Sequence, residues 1–241
     1  IDVAASAAKP GYIADQANLS ADPRAGCGLL DRCLAANLDN LVDALPARDR
    51  LLQEAMRLFG ERGLDAVTTR EICAAAGVTK GAFFHHFASK EALGVALIED
   101  WTATTGAMFA AHPYNGLPDP LDRVLGYLDL RRQILDQPIA AFSCVAGTTV
   151  QEAFETSPAM REAAARSLGS GVRHVEAHLA AALAAHPVPG VTADSLGRMF
   201  QVAVQGGIVL AKAFADPAPA REAFDHLERY LRLLFDRPPP G

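Results

Sequence analysis

The chain has 241 residues, of which 50% are hydrophobic and 21% are charged, and its formal net charge is −6. This composition is typical of a folded globular protein and excludes a wholly disordered one. No run approaches the roughly 18 to 20 apolar residues of a membrane span, and the four cysteines contain no CxxC pair, so we expect a cytoplasmic protein without a membrane partner.

Residues 1–47 are predicted to form an N-terminal extension. Glycine, proline, aspartate and alanine are frequent up to residue 28, and no continuous apolar block of a signal peptide is present, so a flexible arm is expected there. Apolar residues then recur with helical spacing from Leu29 to Leu45, and Pro46 follows them. This spacing predicts one short helix after the arm.

Residues 48–95 are predicted to form a small helical domain. Apolar side chains between Leu51 and Phe59 recur every three or four positions, so they fall on one face of a first helix. Gly63 is placed to end this helix in the left-handed conformation. A short connector then leads to the next helix.

Capping residues indicate three further helix starts. Thr68 and Glu71 have capping-box spacing, which predicts a second helix that ends near Gly77. Thr79 is the predicted N-cap of a third helix over residues 80–87. Ser89 is the predicted N-cap of a fourth helix that reaches at least residue 101.

Residues 96–241 are predicted to form a larger, entirely helical domain. After a proline- and glycine-rich loop, helical spacing continues in five segments that cover residues 121–135, 141–156, 159–185, 193–215 and 220–235. No alternation of β-branched residues typical of strands is present in the sequence. The predicted fold class is therefore all-α.

The two short helices and the tight turn between them have helix-turn-helix geometry. The second helix of such a pair lies in the DNA major groove, while flanking residues hold phosphates. Residues 70–90 contain three basic side chains and one acidic one, so this short stretch favours a polyanion. The candidate DNA contacts are Thr68, Thr69, Arg70, Thr79, Lys80, Gly81, Phe84, His85, His86 and Lys90.

The run RLLQEAMRLFGERGLDAVTTREICAAAGVTKGAFFHHFASKEAL resembles the DNA-binding domain of the TetR family of bacterial transcriptional regulators. The matching features are the phenylalanine of the first helix, the TTREI opening of the second, AAGVTKG before the third, and HHFASKEAL after it. The resemblance covers about 55 residues. It implies a homodimeric, ligand-responsive protein that catalyses no reaction and is most often a repressor that binds operator DNA.

One position departs from the family pattern. The family commonly has tyrosine where this chain has Phe84, and that hydroxyl usually touches a phosphate. Phe84 has no hydroxyl and cannot make this contact. His85 and His86 are then the polar groups expected on that face.

The last two helices are predicted to form the dimer interface, as the family resemblance also implies. Their apolar faces would make a four-helix bundle with those of a second chain. The candidate interface residues are Met199, Ala203, Phe224, Leu227 and Leu231. The alternative is that both helices belong to the core of one chain.

The family resemblance implies a pocket for a small organic effector in the larger domain. Such pockets combine apolar walls with a few polar groups. The candidate lining residues are Trp101, Phe109, Tyr127, Arg131, Phe142, Cys144, Thr148, Gln151, Gln201 and Gln205. An alternative effector is a thiol-reactive electrophile at Cys144, although the sequence shows no cation near this thiol.

The sequence also bears on two other classes of function, an enzyme and an adaptor. His174 and His178 have metal-ligand spacing on a helix, but HVEAH is not the HExxH motif, and no nucleophile elbow or P-loop is present. We therefore predict no enzyme activity, no metal and no cofactor. A helical ligand-sensing or adaptor module without DNA binding is the alternative function.

Overall fold

The computed structural model describes residues 45–237, and every regular element in this range is helical. The all-α prediction is confirmed, whereas the predicted arm and short helix lie outside the described residues. No helix between residues 45 and 237 is long and apolar enough to cross a bilayer. The helices are α1 (Ala47–Arg62), α2 (Thr69–Ala75), α3 (Lys80–His86), α4 (Lys90–Ala111), α5 (Pro120–Ile134), α6 (Ile139–Phe142), α7 (Val145–Ala153), α8 (Pro158–Ala185), α9 (Ala193–Phe214) and α10 (Ala218–Leu234).

The three predicted N-caps of the first domain are confirmed. At α2 the backbone N–H of Glu71 donates to Thr68 Oγ1, and the Thr68 N–H donates to the Glu71 carboxylate at 2.8 Å. Thr79 Oγ1 accepts from the third residue of α3 at 3.1 Å, and Ser89 Oγ does the same in α4 at 3.0 Å. Gly63 ends α1 with φ 82° and ψ 159°, so it has a positive φ that glycine adopts without strain but not the predicted left-handed helical conformation.

One small core holds the first four helices together. Its centre is formed by side chains that are fully buried, with Leu51 and Ala55 from α1, Ile72 from α2, Phe83 from α3 and Leu93 from α4. α4 is long enough to leave this core and enter the larger domain. The first domain is therefore attached to the second by a continuous helix.

The segment predicted as one helix over residues 141–156 is broken in the structure. Ser143 leaves the helix and donates its hydroxyl to the Ile139 carbonyl at 2.8 Å. Cys144 has extended backbone dihedrals, and its Sγ accepts the N–H of Gly147 at 3.3 Å as the cap of α7. Side chains that hydrogen-bond the local backbone compete with helix continuation, and apolar spacing does not reveal this competition.

The larger domain is built around α8, which packs against α4, α5, α7 and α9. Its main core joins α5, α8, α9 and α10, with Tyr127, Phe200 and Phe224 among the largest fully buried side chains. Tyr127 and Phe200 stack with ring centroids 5.3 Å apart. This core positions the cavity described below.

Contacts other than α4 also fix the two domains relative to each other. The N–H of Leu64, in the α1–α2 connector, donates to Glu152 Oε2 of α7 at 2.5 Å. A Cβ on Gly94 of α4 would lie 2.1 Å from Met160 Cε of α8, so this glycine permits close helix packing. Movement of α7 or α8 would therefore be transmitted directly to the first domain.

Candidate DNA-binding surface and effector cavity

Helix α3 has one buried and one exposed face. Phe83 and the following Phe87 are buried in the domain core, whereas Lys80, Phe84 and His85 are exposed. The Phe84 ring is 48% exposed although it is large and apolar. The candidate DNA contacts on α3 thus form one accessible surface, as a recognition helix requires.

The charges on this surface favour a polyanion. Arg70 and Lys80 are exposed, and neither forms an ion pair with another residue in the range 45–237. The neighbouring acid, Glu71, is held by hydrogen bonds from Thr68 and by Arg62 at 2.8 Å, which lower its pKa to about 2. The one acidic side chain here is thus paired internally, while two cations are available to DNA.

The two predicted threonine caps differ in what they can offer a phosphate. Thr68 Oγ1 donates its single proton to Glu71 Oε2 at 2.6 Å, so a phosphate would have to displace this carboxylate. Among residues 45–237, Thr79 Oγ1 only accepts, from the N–H of Ala82. Its hydroxyl proton is therefore free for a phosphate, and Thr69 also makes no side-chain hydrogen bond to a described residue.

Lys90 has a structural task that the sequence does not reveal. Its Nζ donates to the carbonyl oxygens of Leu64 and Val67, at 3.0 and 3.1 Å. These two bonds fix the connector that precedes α2. Only one of its three protons remains for the predicted phosphate contact.

A cavity of about 100 Å³ lies inside the larger domain, between α4, α5, α8 and α9. Many of the predicted ligand contacts, separated by up to a hundred residues in sequence, are brought together there. They are Trp101, Phe109, Arg131, Phe142, Cys144, Gln201 and Gln205. Tyr127 lies behind this lining, buried, with its hydroxyl accepting two hydrogen bonds from Arg131.

The other two predicted ligand residues lie elsewhere. Gln151 is exposed on α7 and donates to the Gly147 carbonyl at 3.0 Å, so its prediction as a cavity residue is wrong. Thr148 faces a separate cleft of about 330 Å³ between α1, α4 and α7, where it accepts from Lys212 Nζ at 3.0 Å. Helical periodicity placed both residues near Cys144, but the side-chain directions around α7 separate them.

The sequence shows no cation near Cys144, but in the folded chain Lys212 of α9 interacts with it. This lysine, 68 positions away, is exposed and interacts electrostatically with Cys144. Partial desolvation is the main cause that lowers the pKa of the Lys212 ammonium. Only the packing of α9 against α7 could show this pair.

His174 is a cavity residue that the lining prediction missed. Its Nε2 lies 2.6 Å from Tyr114 Oη, and the Tyr114 hydroxyl donates to the Phe109 carbonyl at 2.9 Å. Because that hydroxyl has one proton, His174 Nε2 carries its own proton and donates it to Tyr114. The spacing of His174 and His178, considered above for a metal site, was the sequence signal that could have indicated this residue. Residues 45–237 contain no group of three side chains that could hold a metal ion.

The hydrogen-bond donor of His178 follows from the same reasoning. Asn115 Nδ2 donates to the carbonyls of Phe109 and His112 at 2.8 and 2.9 Å, which fixes the amide and turns its Oδ1 toward His178 Nε2. His178 must therefore donate to Asn115, over 3.1 Å. Both histidines therefore connect α8 to the turn that follows α4.

The burial of these two histidines predicts that the free energy of unfolding depends on pH. Burial is the main cause that lowers the pKa of His174 and of His178 below the ordinary value of 6.5. Below pH 6.5 the histidines of the unfolded chain bind protons that those of the folded chain exclude. Their full contribution to the free energy of unfolding is therefore present above pH 6.5 and is lost as the pH falls through their pKa values in the folded state. We expect a loss on the order of 1 kcal/mol between pH 7.5 and 5.5.

Urea unfolding at both pH values measures this loss. The double variant H174Q/H178Q, which keeps a donor on each side chain, should lose less stability than the wild type over this interval. H226Q on α10 is the control, because His226 is exposed. An unchanged pH dependence in the double variant would contradict the assignment.

The predicted dimer residues of α10 are buried within their own chain. Phe224, Leu227 and Leu231 belong to the main core, and Met199 and Ala203 of α9 pack partly buried against it. Phe224, Leu227 and Leu231 are therefore core residues of the single chain, the alternative given above, whereas Met199 and Ala203 keep part of their surface accessible. A helical stripe has the same spacing whether it faces a core or a partner.

A different apolar face of α9 and α10 is exposed. Its most accessible large side chains are Val202, Leu210 and Phe214 of α9 and Leu233 of α10, the last of them 74% exposed. We call these four residues the outer α9–α10 face. Apolar surface of this kind marks an interaction site on a folded protein.

Two family models match the chain. Residues 51–97 match the model described as "Bacterial regulatory proteins, tetR family", and residues 120–227 match "Tetracyclin repressor-like, C-terminal domain". The first range contains the helix-turn-helix, and the second contains most of the helices around the cavity. The chain belongs to the TetR family of bacterial transcriptional regulators. The resemblance noted in the sequence is thereby confirmed.

Curated TetR-family relatives match parts of the chain. The HTH-type transcriptional repressor Rv1474c of Mycobacterium tuberculosis is 35% identical over 104 residues, 40% of this chain and 56% of that protein. The HTH-type transcriptional repressor KstR2 of Mycolicibacterium smegmatis is 44% identical over 54 residues, 22% and 26% of the two chains. The chain thus spans about half of the first relative and about a quarter of the second.

Solved TetR-family structures share the fold over most of their length. A TetR transcriptional regulator from Chloroflexus aurantiacus has a TM-score of 0.67 and 26% identity, over 77% of this chain and 93% of that one. Regulatory protein TetR from Rhodobacter sphaeroides has a TM-score of 0.68 and 24% identity, over 76% and 98%. The second likeness shows the fold alone.

Proposed function

We propose that this TetR-family chain is a repressor that binds a palindromic operator in cytoplasmic DNA as a homodimer and is released by a small organic effector. The observation that carries the proposal is the exposed surface of α3 together with Arg70 and Lys80, which form no ion pair with any residue between 45 and 237. The proposal assigns no catalytic chemistry to the chain. It divides the chain into an extension over residues 1–47, a DNA-binding domain over 48–95 and an effector domain over 96–241.

The recognition helix requires a dimer. α3 has seven residues, Lys80–His86, so one copy can contact only a few base pairs. A two-fold dimer places two copies on half-sites one helical turn apart and reads a pseudo-palindrome. We propose that the outer α9–α10 face is the surface that pairs, since it is apolar and exposed at the last two helices.

Helix α4 provides the route from effector to DNA. Its first turns carry Leu93 and Leu97 in the core of the DNA-binding domain, and its later turns line the cavity with Trp101 and Phe109. A ligand that favours one position of α4 would shift the spacing between the two recognition helices. The effector must bind the released conformer more tightly than the DNA-bound one, because equal affinity shifts nothing.

Selection of bound duplexes from a random-sequence pool, followed by a salt titration, tests DNA binding. We expect an inverted repeat and an affinity that falls steeply with salt, because phosphate contacts release counterions. R70A should reduce the logarithmic salt slope by about 2, since a dimer loses two phosphate contacts and each contributes about 0.9.

Two further variants sharpen this test. H85A should relax base preference within the half-site, because His85 is exposed on α3, the proposed recognition helix. R166A is the matched control, since Arg166 is exposed on α8 and pairs with Glu99. If no duplex is enriched even at low salt, the alternative function as an adaptor without DNA binding is favoured and the proposal fails.

A further inference from the structure

Two adjacent arginines of α5 have opposite electrostatic surroundings. Arg132 pairs with three carboxylates, those of Asp129, Asp225 and Glu228, at 2.6, 3.1 and 2.5 Å. Arg131 lines the cavity and forms no ion pair with any residue of the described range. A partly buried cation without a counter-ion is unfavourable unless something else compensates it.

The groups of the chain that contact the Arg131 guanidinium are uncharged. Arg131 Nε and Nη2 donate to the Tyr127 hydroxyl at 3.1 and 2.6 Å, and the guanidinium lies 4.5 Å from the ring centroid of Phe109. These contacts hold the side chain in one position. They leave Nη1 and the second proton of Nη2 without an acceptor among the described residues.

The rest of the cavity lining contains no opposing charge. None of its residues is aspartate or glutamate. Gln201 and Gln205 of α9 also line it, and neither amide makes a side-chain hydrogen bond within the part of the chain that the structure describes. The polar part of this cavity therefore offers a fixed guanidinium and two uncommitted amides.

The remaining walls are aromatic and apolar. Trp101, Phe109 and Phe142 line the same cavity, whose volume is about 100 Å³. This volume suits a ligand of few atoms, and the aromatic walls favour an organic group over a fully hydrated ion such as phosphate. A carboxylate is the planar anion that a guanidinium fork binds best.

We propose that the cavity binds a small organic carboxylate, with its anionic group at Arg131 and its apolar part against the aromatic walls. The inference rests on the proposed function insofar as it names the chemical class of the effector. The binding of the anion itself requires only the cavity. Charge thereby distinguishes the ligand from neutral molecules of the same shape.

Calorimetric titration of the full chain without DNA tests the proposal. The probes are benzoate, phenylacetate and hexanoate, each paired with its neutral primary amide, and inorganic phosphate. We expect at least one carboxylate to bind at least 10-fold more tightly than its amide, and phosphate not to bind. Equal affinity of acids and amides, binding of phosphate instead, or no binding of any carboxylate at 10 mM would overturn the proposal.

Variants locate the binding to Arg131. R131Q should weaken the bound carboxylate at least 10-fold, and R131K, which keeps the charge but loses the fork, should weaken it less. R166Q is the matched control, because it removes one exposed positive charge from α8 and should leave the affinity unchanged. Unfolding curves of R131Q and R131K identify any loss of fold, and unchanged carboxylate affinity in folded R131Q would contradict the site.

The same probes separate this inference from the proposed function. A carboxylate that binds but leaves operator affinity unchanged would support the anion site and contradict effector release. Release of DNA by an amide that binds as well as its acid would support the regulator and contradict the anion site.

Discussion

Replacing Leu210 and Phe214 by aspartate should convert the proposed dimer into a folded monomer that loses about 100-fold or more in operator affinity. Both side chains are exposed on α9, at 47% and 66%, so the single chain does not need them for its core. In the proposed dimer they would be buried, and a carboxylate placed there without a partner is strongly unfavourable. A monomer carries one recognition helix and loses the second half-site.

Light scattering measures the mass, and circular dichroism checks that the variant remains helical. F154D is the matched control: Phe154 is also an exposed phenylalanine, at 56%, but it follows α7 and lies outside the outer α9–α10 face. It should remain a dimer. F224D should unfold instead, because Phe224 is buried in the main core. A stable dimer of L210D/F214D would rule out this face as the interface.

The neighbouring phenylalanines of α3 should give opposite results. F83A should lower the free energy of unfolding by about 3–5 kcal/mol, since it leaves a cavity in the core of the DNA-binding domain. Phe83 is fully buried there. F84A should cost about 1 kcal/mol, the value of its edge-to-face contact with Phe83 at 5.2 Å. Its main effect should be about 10-fold weaker operator binding through lost apolar contact.

Urea unfolding and fluorescence anisotropy with the selected operator measure the two effects separately. F84Y is the informative control, because it keeps the ring and adds the hydroxyl that the family commonly has at this position. It should bind the operator at least as tightly as the wild type. Full operator affinity in F84A would show that the exposed ring of Phe84 is outside the contact surface.

Local features of the fold could be predicted from the sequence because they depend on neighbours in the chain. Thr68, Thr79 and Ser89 form their predicted caps, and Gly63 ends α1 with a positive φ that favours glycine. Each involves atoms no more than four residues apart, so spacing alone determines them. Helical periodicity likewise determined the all-α class. Residues that line one face of α4 or α9, such as Gln201 and Gln205, were predicted together and lie together.

Only the tertiary structure decided which partners those faces have. Phe224 and Leu233 lie on the same helix, yet one is buried in the core and the other is exposed, because packing against α5 and α9 covers one side of α10. Arg131 and Arg132 are sequence neighbours, but the carboxylates of α10 reach only the second. Burial and charge pairing depend on residues about a hundred positions away. Sequence spacing therefore determined the elements and their faces, whereas long-range packing determined the core, the exposed outer α9–α10 face and the lack of an ion pair to Arg131 within residues 45–237.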